Sequence, residues 1–79
     1  ARVAKTLLKL AQSYGEPNGD AIRFNIKMSQ QELANLIGTS REVVNRHLRT
    51  LQSEGVISVD RGFLVIEQPE TLEDHAQPA

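Results

Sequence analysis

A chain of 79 residues is long enough for one small domain, which buries only about 60% of the surface of its unfolded chain. It contains no cysteine, which excludes disulfides, thiolate zinc sites and thiol catalysis. No apolar run approaches the ~20 residues that cross a membrane, and no signal-peptide pattern leads the chain. We therefore expect a cytoplasmic domain that neither enters nor spans a membrane.

The net charge of −1 is unevenly distributed along the chain. Residues 67–79 hold four acidic residues and no lysine or arginine, whereas residues 1–66 hold nine basic and six acidic residues, a net charge of +3. Three arginines and one glutamate fall within residues 41–49. This local concentration of arginine indicates an anionic partner, which the net charge alone would not. Lys5, Lys9 and Lys27 are interpreted as solvated surface residues.

The first part of the chain predicts a helix, a loop and a strand. Helical spacing relates the apolar residues Val3, Leu7, Leu8, Leu10 and Ala11. Gly15 suits the end of this helix, and the composition of residues 16–20, EPNGD, predicts a turn or loop. Residues 22–27 alternate strictly between apolar and polar side chains. That alternation predicts a half-buried strand.

Residues 29–38 predict a short helix with a defined start and end. Ser29 and Glu32 have the spacing of a capping box, in which hydroxyl and carboxylate satisfy free amides of the first turn. Gly38 falls where the helix must end, because glycine tolerates the left-handed conformation found there. Ala34 is small enough to let a second helix approach closely. The inner face is predicted to hold Leu33, Leu36 and Ile37.

A second helix follows at once, capped by Thr39 or Ser40. Its inner face is predicted to hold Val44, His47, Leu48 and Leu51. Its outer face then holds Arg41, Glu42, Asn45, Arg46 and Arg49. We interpret His47 as a half-buried core histidine, because one imidazole is no metal site and only His75 could join it. Two helices joined by a tight turn are the layout of a helix-turn-helix, whose second helix enters the DNA major groove.

The last part of the chain predicts a β-hairpin and a weakly structured tail. Two short apolar runs, residues 56–59 and 63–66, flank the turn sequence Asp60-Arg61-Gly62, as in the wing that follows a recognition helix. The predicted fold class is α+β, mainly α: a winged helix-turn-helix ordered helix, strand, helix, helix, β-hairpin. Residues 1–66 form this domain, with the helix-turn-helix at 29–53 and the wing at 56–66. Residues 67–79 form an acidic C-terminal tail.

From Arg2 to about Leu72, the chain resembles the C-terminal DNA-binding domain of the cyclic-AMP receptor/fumarate-nitrate regulator (CRP/FNR) family of bacterial transcription regulators. The resemblance is carried by ARVAKTLLKLA, by MSQQELANLIGTSREVVNRHLRTLQSEGVI and by the short wing GFLVI. It implies a sequence-specific DNA-binding domain and no enzyme. It also implies a homodimer in the full-length protein, a possible contact with RNA polymerase, and a larger N-terminal effector domain absent from these 79 residues.

The resemblance assigns roles to individual side chains. Base contacts are implied for Arg41, Glu42 and Arg46, on inverted-repeat half-sites similar to TGTGA. Phosphate contacts are implied for Ser29, Gln31, Ser40, Asn45 and Arg49. No cofactor is expected in this piece, because the effector, such as a cyclic nucleotide, would bind the N-terminal domain. The piece alone is expected to be mainly monomeric. Two residues depart from the family pattern: Val43 replaces a frequent threonine, and His47 replaces an aliphatic residue.

Other interpretations of these residues stay open at this stage. Glu42 and Arg46 are spaced for a simple i,i+4 salt bridge, and the serines could act only as helix caps. Arg61 could touch a phosphate or simply lie in a solvated turn. The chain could also be a winged-helix module for protein contacts, since a fold does not define a function. That alternative predicts an exposed apolar patch on the second helix.

Overall fold

The computed structural model describes residues 2–77, which form four helices and four strands. In chain order these are α1 (Arg2–Tyr14), β1 (Gly15–Asn18), β2 (Ala21–Phe24), α2 (Gln30–Ile37), α3 (Arg41–Ser53), β3 (Ile57–Asp60), β4 (Phe63–Ile66) and α4 (Pro69–Ala76). The predicted class, a mainly helical α+β winged helix-turn-helix, is confirmed. The sequence did not predict β1 and α4.

The chain passes directly from α1 into β1 at Gly15. A Cβ atom at this position would lie 2.5 Å from the carbonyl oxygen of Ala11 and 2.5 Å from Cγ2 of Ile22, so only glycine fits. The expectation of a loop over residues 16–20 is wrong for residues 16–18, which pair with β2, and the turn is confined to Gly19 and Asp20. Pro17 and Asn18 are poor strand formers, but an edge strand tolerates them.

The four strands form one antiparallel sheet in the order β1-β2-β4-β3. The first hairpin and the wing therefore join through β2 and β4, where Ile22 lies opposite Ile66. Arg61 and Gly62 form the wing turn, with φ angles of 55° and 88°. A two-residue turn with both φ angles positive matches the twist of the flanking strands. β2 ends at Phe24, three residues before the predicted strand end.

A single hydrophobic core joins the helices to the sheet. Its largest fully buried side chains come from both layers and are Leu7, Phe24, Val44, Val56, Ile66 and Leu72. No polar or charged residue is buried among residues 2–77. The core therefore contains no polar side chain that needs a partner, and its stability comes mainly from apolar burial.

The expectation of a weakly structured tail is wrong, because residues 69–76 form α4, which packs mainly against α1. Leu72 is fully buried there. Two polar contacts join this end of the chain to the end of α3: Gln68 Nε2 donates to the carbonyl oxygen of Gly55 at 3.1 Å, and His75 Nε2 lies 3.1 Å from Glu54 Oε1. The apolar pattern of residues 69–76 was too weak to predict a helix, because α4 buries only one large side chain.

Two residues predicted to face inward lie on the surface: Leu36 is 59% exposed, and His47 is exposed. Successive residues of a helix are about 100° apart around its axis. The buried stripe of α2 is Leu33, Ala34 and Ile37. Because Ala34 turns inward, Leu36 turns outward. The buried stripe of α3 consists of Val44, Leu48 and Leu51, and His47 lies beyond its edge.

The N-terminus of α2 is capped by the predicted capping box. Ser29 Oγ accepts a hydrogen bond from the Glu32 amide, and Glu32 Oε1 accepts one from the Ser29 amide, both at 3.0 Å. The hydrogen bond that the Ser29 amide donates to the carboxylate, followed by the effect of the Ser29 side chain, stabilises the charged form and lowers the pKa of Glu32 below its ordinary value of 4.5. Gly38 ends the helix with φ 82°, in the left-handed region, and donates to the carbonyl oxygen of Ala34 at 2.8 Å.

If α4 is part of the folded domain, Leu72→Ala should lower the free energy of unfolding by about 2–5 kcal/mol, as removal of a buried leucine side chain does. Chemical denaturation of both proteins measures the difference. Glu73→Ala is the matched control, because Glu73 is an exposed residue of the same helix and should change stability by less than about 0.5 kcal/mol. Equal, negligible effects of both substitutions would contradict the packing of α4.

Protonation of Glu32 should weaken the capping box. Because its pKa is lowered by folding, its contribution to stability is present above pH 4.5 and is lost as pH falls through the folded pKa. The stability difference between the wild type and Glu32→Gln should therefore shrink between about pH 6 and about pH 3. Urea denaturation across this range tests it.

Glu70→Gln is the control for this pH dependence. Glu70 lies in the first turn of α4, where no side chain caps the helix. Comparison of the two variants separates loss of the capping box from loss of an exposed first-turn carboxylate. A Glu32→Gln difference that is constant over the whole range would contradict the capping role of the carboxylate.

Candidate nucleic-acid interface

Helix α3 has one face in the core and the opposite face in solvent. Val44, Leu48 and Leu51 are buried, and the exposed side carries Glu42, Arg46 and Arg49. Arg46 and Arg49 border a shallow surface groove that is completed by Asn45, Thr50 and Ser53. The sequence therefore predicted correctly that the arginines face solvent. The inner face predicted for α3 was one residue too wide, because it included His47.

The first turn of α3 presents two charged side chains beside the helix N-terminus. Ser40, rather than Thr39, is the N-cap residue, and its Oγ accepts from the Val43 amide at 3.3 Å. Arg41 and Glu42 follow it, and both side chains are exposed. Val43, the departure from the family pattern, is half-buried. Its position leaves Arg41 and Glu42 as the outward side chains of this turn.

The i,i+4 salt bridge between Glu42 and Arg46 does not form. Within residues 2–77, the ion pair is Arg23 with Asp60, and the remaining contact to a carboxylate is that of His75 with Glu54. Arg41, Arg46 and Arg49 thus carry no carboxylate partner in the described part of the chain. Unpaired guanidinium groups on one helix are available to an external anion, which they can bind in a bidentate manner.

Both serines of the candidate site act as caps and still have a proton to donate. Ser29 Oγ and Ser40 Oγ each accept a hydrogen bond from a backbone amide, which leaves the hydroxyl hydrogen free. Each hydroxyl lies at a helix N-terminus, where backbone amides and the helix dipole favour anions. Capping and phosphate binding are therefore compatible at both positions.

The side-chain amides of the candidate site are held by neighbouring amides. Gln31 Nε2 donates to Asn35 Oδ1 at 3.0 Å on the exposed side of α2. Between the two helices, Gln30 Nε2 donates to Asn45 Oδ1 at 3.0 Å. The Asn45 carbonyl is thereby occupied, and its amide hydrogens remain free to donate to a phosphate.

Gln30 was not among the site residues predicted from the sequence, although its hydrogen bond to Asn45 holds one of them. No short-range pattern identifies it, because Gln30 and Asn45 are 15 residues apart on different helices. The only signal in the sequence is that both are polar residues on short amphipathic helices.

The wing adds a second basic surface around Phe63. The guanidinium carbon of Arg23 lies 4.3 Å from the ring centroid of Phe63, and Lys27 Nζ lies 5.2 Å from it. Arg23 also pairs with Asp60 at 3.3 Å, whereas Arg61 is exposed in the turn. Cation–π contacts of this kind hold a charge beside a ring without neutralising it. Lys27 therefore packs against the wing instead of being a purely solvated side chain.

Residues 2–77 contain neither a candidate metal site nor a helix that could span a membrane. No group of three or more histidine and carboxylate side chains could hold a metal ion there. Among the helices of the same range, none is long and apolar enough to span a membrane.

Comparison with known proteins places this arrangement in a family. Residues 1–75 match the model of the Crp-like helix-turn-helix domain. The chain is 40% identical over 76 residues to a CRP-like cAMP-activated global transcriptional regulator of Mycobacterium tuberculosis, covering 96% of this chain and 34% of the relative. It is 43% identical over 61 residues to an anaerobic regulatory protein of Bacillus subtilis, covering 77% of this chain and 26% of the relative. It thus spans about a third or less of these relatives.

Solved structures agree on the fold. Oxidized CprK in complex with o-chlorophenolacetic acid superposes with a TM-score of 0.87 at 19% identity, over 99% of this chain and 33% of that one. The CO-dependent transcription factor CooA from Carboxydothermus hydrogenoformans superposes with a TM-score of 0.84 at 22% identity, over 96% of this chain and 36% of that one. The chain belongs to the Crp-like helix-turn-helix domains of CRP/FNR-type transcription regulators.

Proposed function

We propose that this domain reads inverted-repeat DNA half-sites similar to TGTGA through α3. The observation that carries the proposal is the orientation of α3: its apolar stripe is fixed in the core, and Arg41, Arg46 and Arg49 are exposed without carboxylate partners. A helix about 10–12 Å across, side chains included, fits the major groove. Its N-terminal turns then reach the base edges.

Base reading is assigned to Arg41, Glu42 and Arg46. A guanidinium group in the first turn can donate two hydrogen bonds to guanine O6 and N7, the commonest specific contact in the major groove. Glu42 accepts from a cytosine amino group, since an ionised carboxylate is a pure acceptor. Arg46 lies one helical turn further along and reaches a neighbouring base pair of the same half-site.

Phosphate contacts are assigned to side chains around the helix N-termini and along the flank of α3. The free hydroxyl hydrogens of Ser29 and Ser40 and the free amide hydrogens of Asn45 support this assignment. Gln31 and Arg49 complete the set as exposed donors. Such contacts fix the register of the protein on the duplex and carry no sequence information themselves.

The complete protein is proposed to be a cytoplasmic homodimer with its effector site outside this domain. The chain covers 34% of the M. tuberculosis relative, and the name of that relative points to cAMP as one candidate effector. Two copies related by a twofold axis would meet half-sites about one DNA turn, or ~34 Å, apart. A contact with RNA polymerase would then link operator binding to transcription.

A module for protein contacts through α3 is less well supported. That function needs an apolar surface on the outer side of α3. The large hydrophobic side chains with the greatest exposure among residues 2–77 are Leu36, Val59 and Tyr14, none of which belongs to α3. The outer side of α3 is charged instead.

Arg41→Ala should weaken the recognition of one base pair, whereas Arg49→Ala should weaken binding to all sequences alike. Loss of a bidentate base contact costs about 1–3 kcal/mol on the matched half-site and flattens discrimination at that position. Loss of a phosphate contact should lower the salt slope by about one. Titration of matched and mismatched half-sites at two salt concentrations separates the two roles. Equal losses on every sequence for Arg41→Ala would exclude base reading.

Dimerisation should raise affinity only when the half-sites are correctly spaced. We expect the isolated chain to bind one half-site weakly, and two chains fused through an unrelated coiled coil to bind an inverted repeat about 10²–10⁴ times more tightly. A shift of about five base pairs turns the second half-site to the opposite face of the duplex and should abolish the gain. An affinity that ignores both fusion and spacing would contradict the symmetric mechanism.

A further inference from the structure

A groove between α1 and α2 has no role in the proposed DNA contact. Its volume is about 570 Å³, and its lining includes Arg2, Lys5, Lys9 and Gln12 of α1. Leu8 and Ile37 form part of its floor, and Leu36 stands at its border. Leu36 is the most exposed large hydrophobic side chain of residues 2–77. Leu36 lies in one groove with Leu8 and Ile37, and an apolar strip of this kind is what helix-in-groove recognition uses.

The charges of the groove all have one sign. No acidic residue lines it, and three of its lining residues are cations. Arg2 is already engaged, because its guanidinium donates to the carbonyl oxygen of Ile37 at the end of α2. Lys5 and Lys9 are exposed and form no ion pair within residues 2–77. Two available ammonium groups, one helical turn apart, thus flank the apolar floor.

The length of the groove suits a helix. The basic row runs along α1 from Arg2 to Gln12, a length of about 15 Å at 1.5 Å per residue. An amphipathic helix of about three turns covers that length, and helix-in-groove binding uses apolar anchors one or two turns apart. The partner must be acidic at its flanks, because the groove offers cations only.

DNA is a poorer occupant of this groove than a protein. The groove shares no lining residue with the surface formed by Asn45, Arg46, Arg49, Thr50 and Ser53. Phosphates are bound by donors, and they would leave Leu36 and Leu8 in water. We propose that the α1–α2 groove binds an acidic amphipathic helix of a protein partner, with Leu36 as the apolar anchor and Lys5 and Lys9 as the charged rim. The domain would then hold its partner and DNA on separate surfaces.

A designed probe tests the proposal with this chain. The probe is a fluorescent helical peptide of about 20 residues, long enough to be helical alone, with leucines on one face and glutamates beside them. Fluorescence anisotropy should show saturable binding that weakens as salt is added. Two control peptides replace the leucines by alanine or the glutamates by lysine, and each should bind at least about tenfold more weakly.

Variants of the chain locate the site. Leu36→Asp and the double variant Lys5→Glu/Lys9→Glu should each weaken peptide binding about tenfold or more. Val59→Asp is the matched control for Leu36→Asp, because Val59 is 53% exposed outside the groove, and it should leave peptide affinity unchanged. Arg49→Ala should weaken DNA binding and leave peptide binding unchanged. Circular dichroism and thermal melts confirm that each variant is folded.

Several results would overturn the proposal. The groove is not a peptide site if the wild type fails to bind the probe, or if the alanine control binds as well as the leucine peptide. If Lys5→Glu/Lys9→Glu weakens DNA binding as much as Arg49→Ala does, the row belongs to the DNA footprint. If sedimentation shows a dimer that Leu36→Asp dissociates, the groove is a contact between copies of this chain.

Discussion

The close packing of α3 against α2 is the constraint on which the rest of the domain depends. Ala34 of α2 is fully buried in the core, and Gly38 turns the chain through a left-handed conformation immediately after α2. Gln30 then joins the start of α2 to Asn45 of α3 by a hydrogen bond. Together with the apolar stripe of α3 in the core, these contacts fix the rotation of α3 about its own axis and decide which of its side chains face solvent. The arginine surface follows from that rotation.

The sheet and α4 support this pair of helices. The sheet joins both hairpins through β2 and β4, and α4 closes the core at Leu72. Glu54, at the end of α3, is also held by His75 of α4. Helix α3 is thus held at both ends, by Gln30 near its start and by His75 of α4 at its end. A rigid helix reduces the ordering cost of binding.

The sequence predicted those features that depend on neighbouring residues. The capping box of Ser29 and Glu32, the end of α2 at Gly38 and the wing turn each depend on a few adjacent side chains, and each is confirmed. Features that depend on tertiary packing were harder to predict. The strand β1 includes Pro17 and is stabilised by its pairing with β2, and α4 is stabilised by the burial of Leu72.

At the candidate site, too, features set by helical spacing were predictable, and features set by packing between helices were not. The outward direction of Arg41, Arg46 and Arg49 was predictable from helical spacing. The exposure of His47 and Leu36 was not, because both lie just outside a buried stripe whose width depends on how closely α2 and α3 approach. The contact between Gln30 and Asn45 crosses from one helix to another, and no periodicity encodes it. The roles in DNA binding remain predictions from chemistry and from the family.

Amide NMR spectra of this chain, recorded during titration with a duplex that contains one TGTGA-like half-site, would test the orientation of α3 most directly. We expect the largest shift changes at residues 29–31 and 41–49, with smaller changes at the wing. Residues of α4 and the row of Lys5 and Lys9 on α1 should change little. Shift changes concentrated on α1 or α4, with α3 unaffected, would contradict the assignment of α3 as the recognition helix.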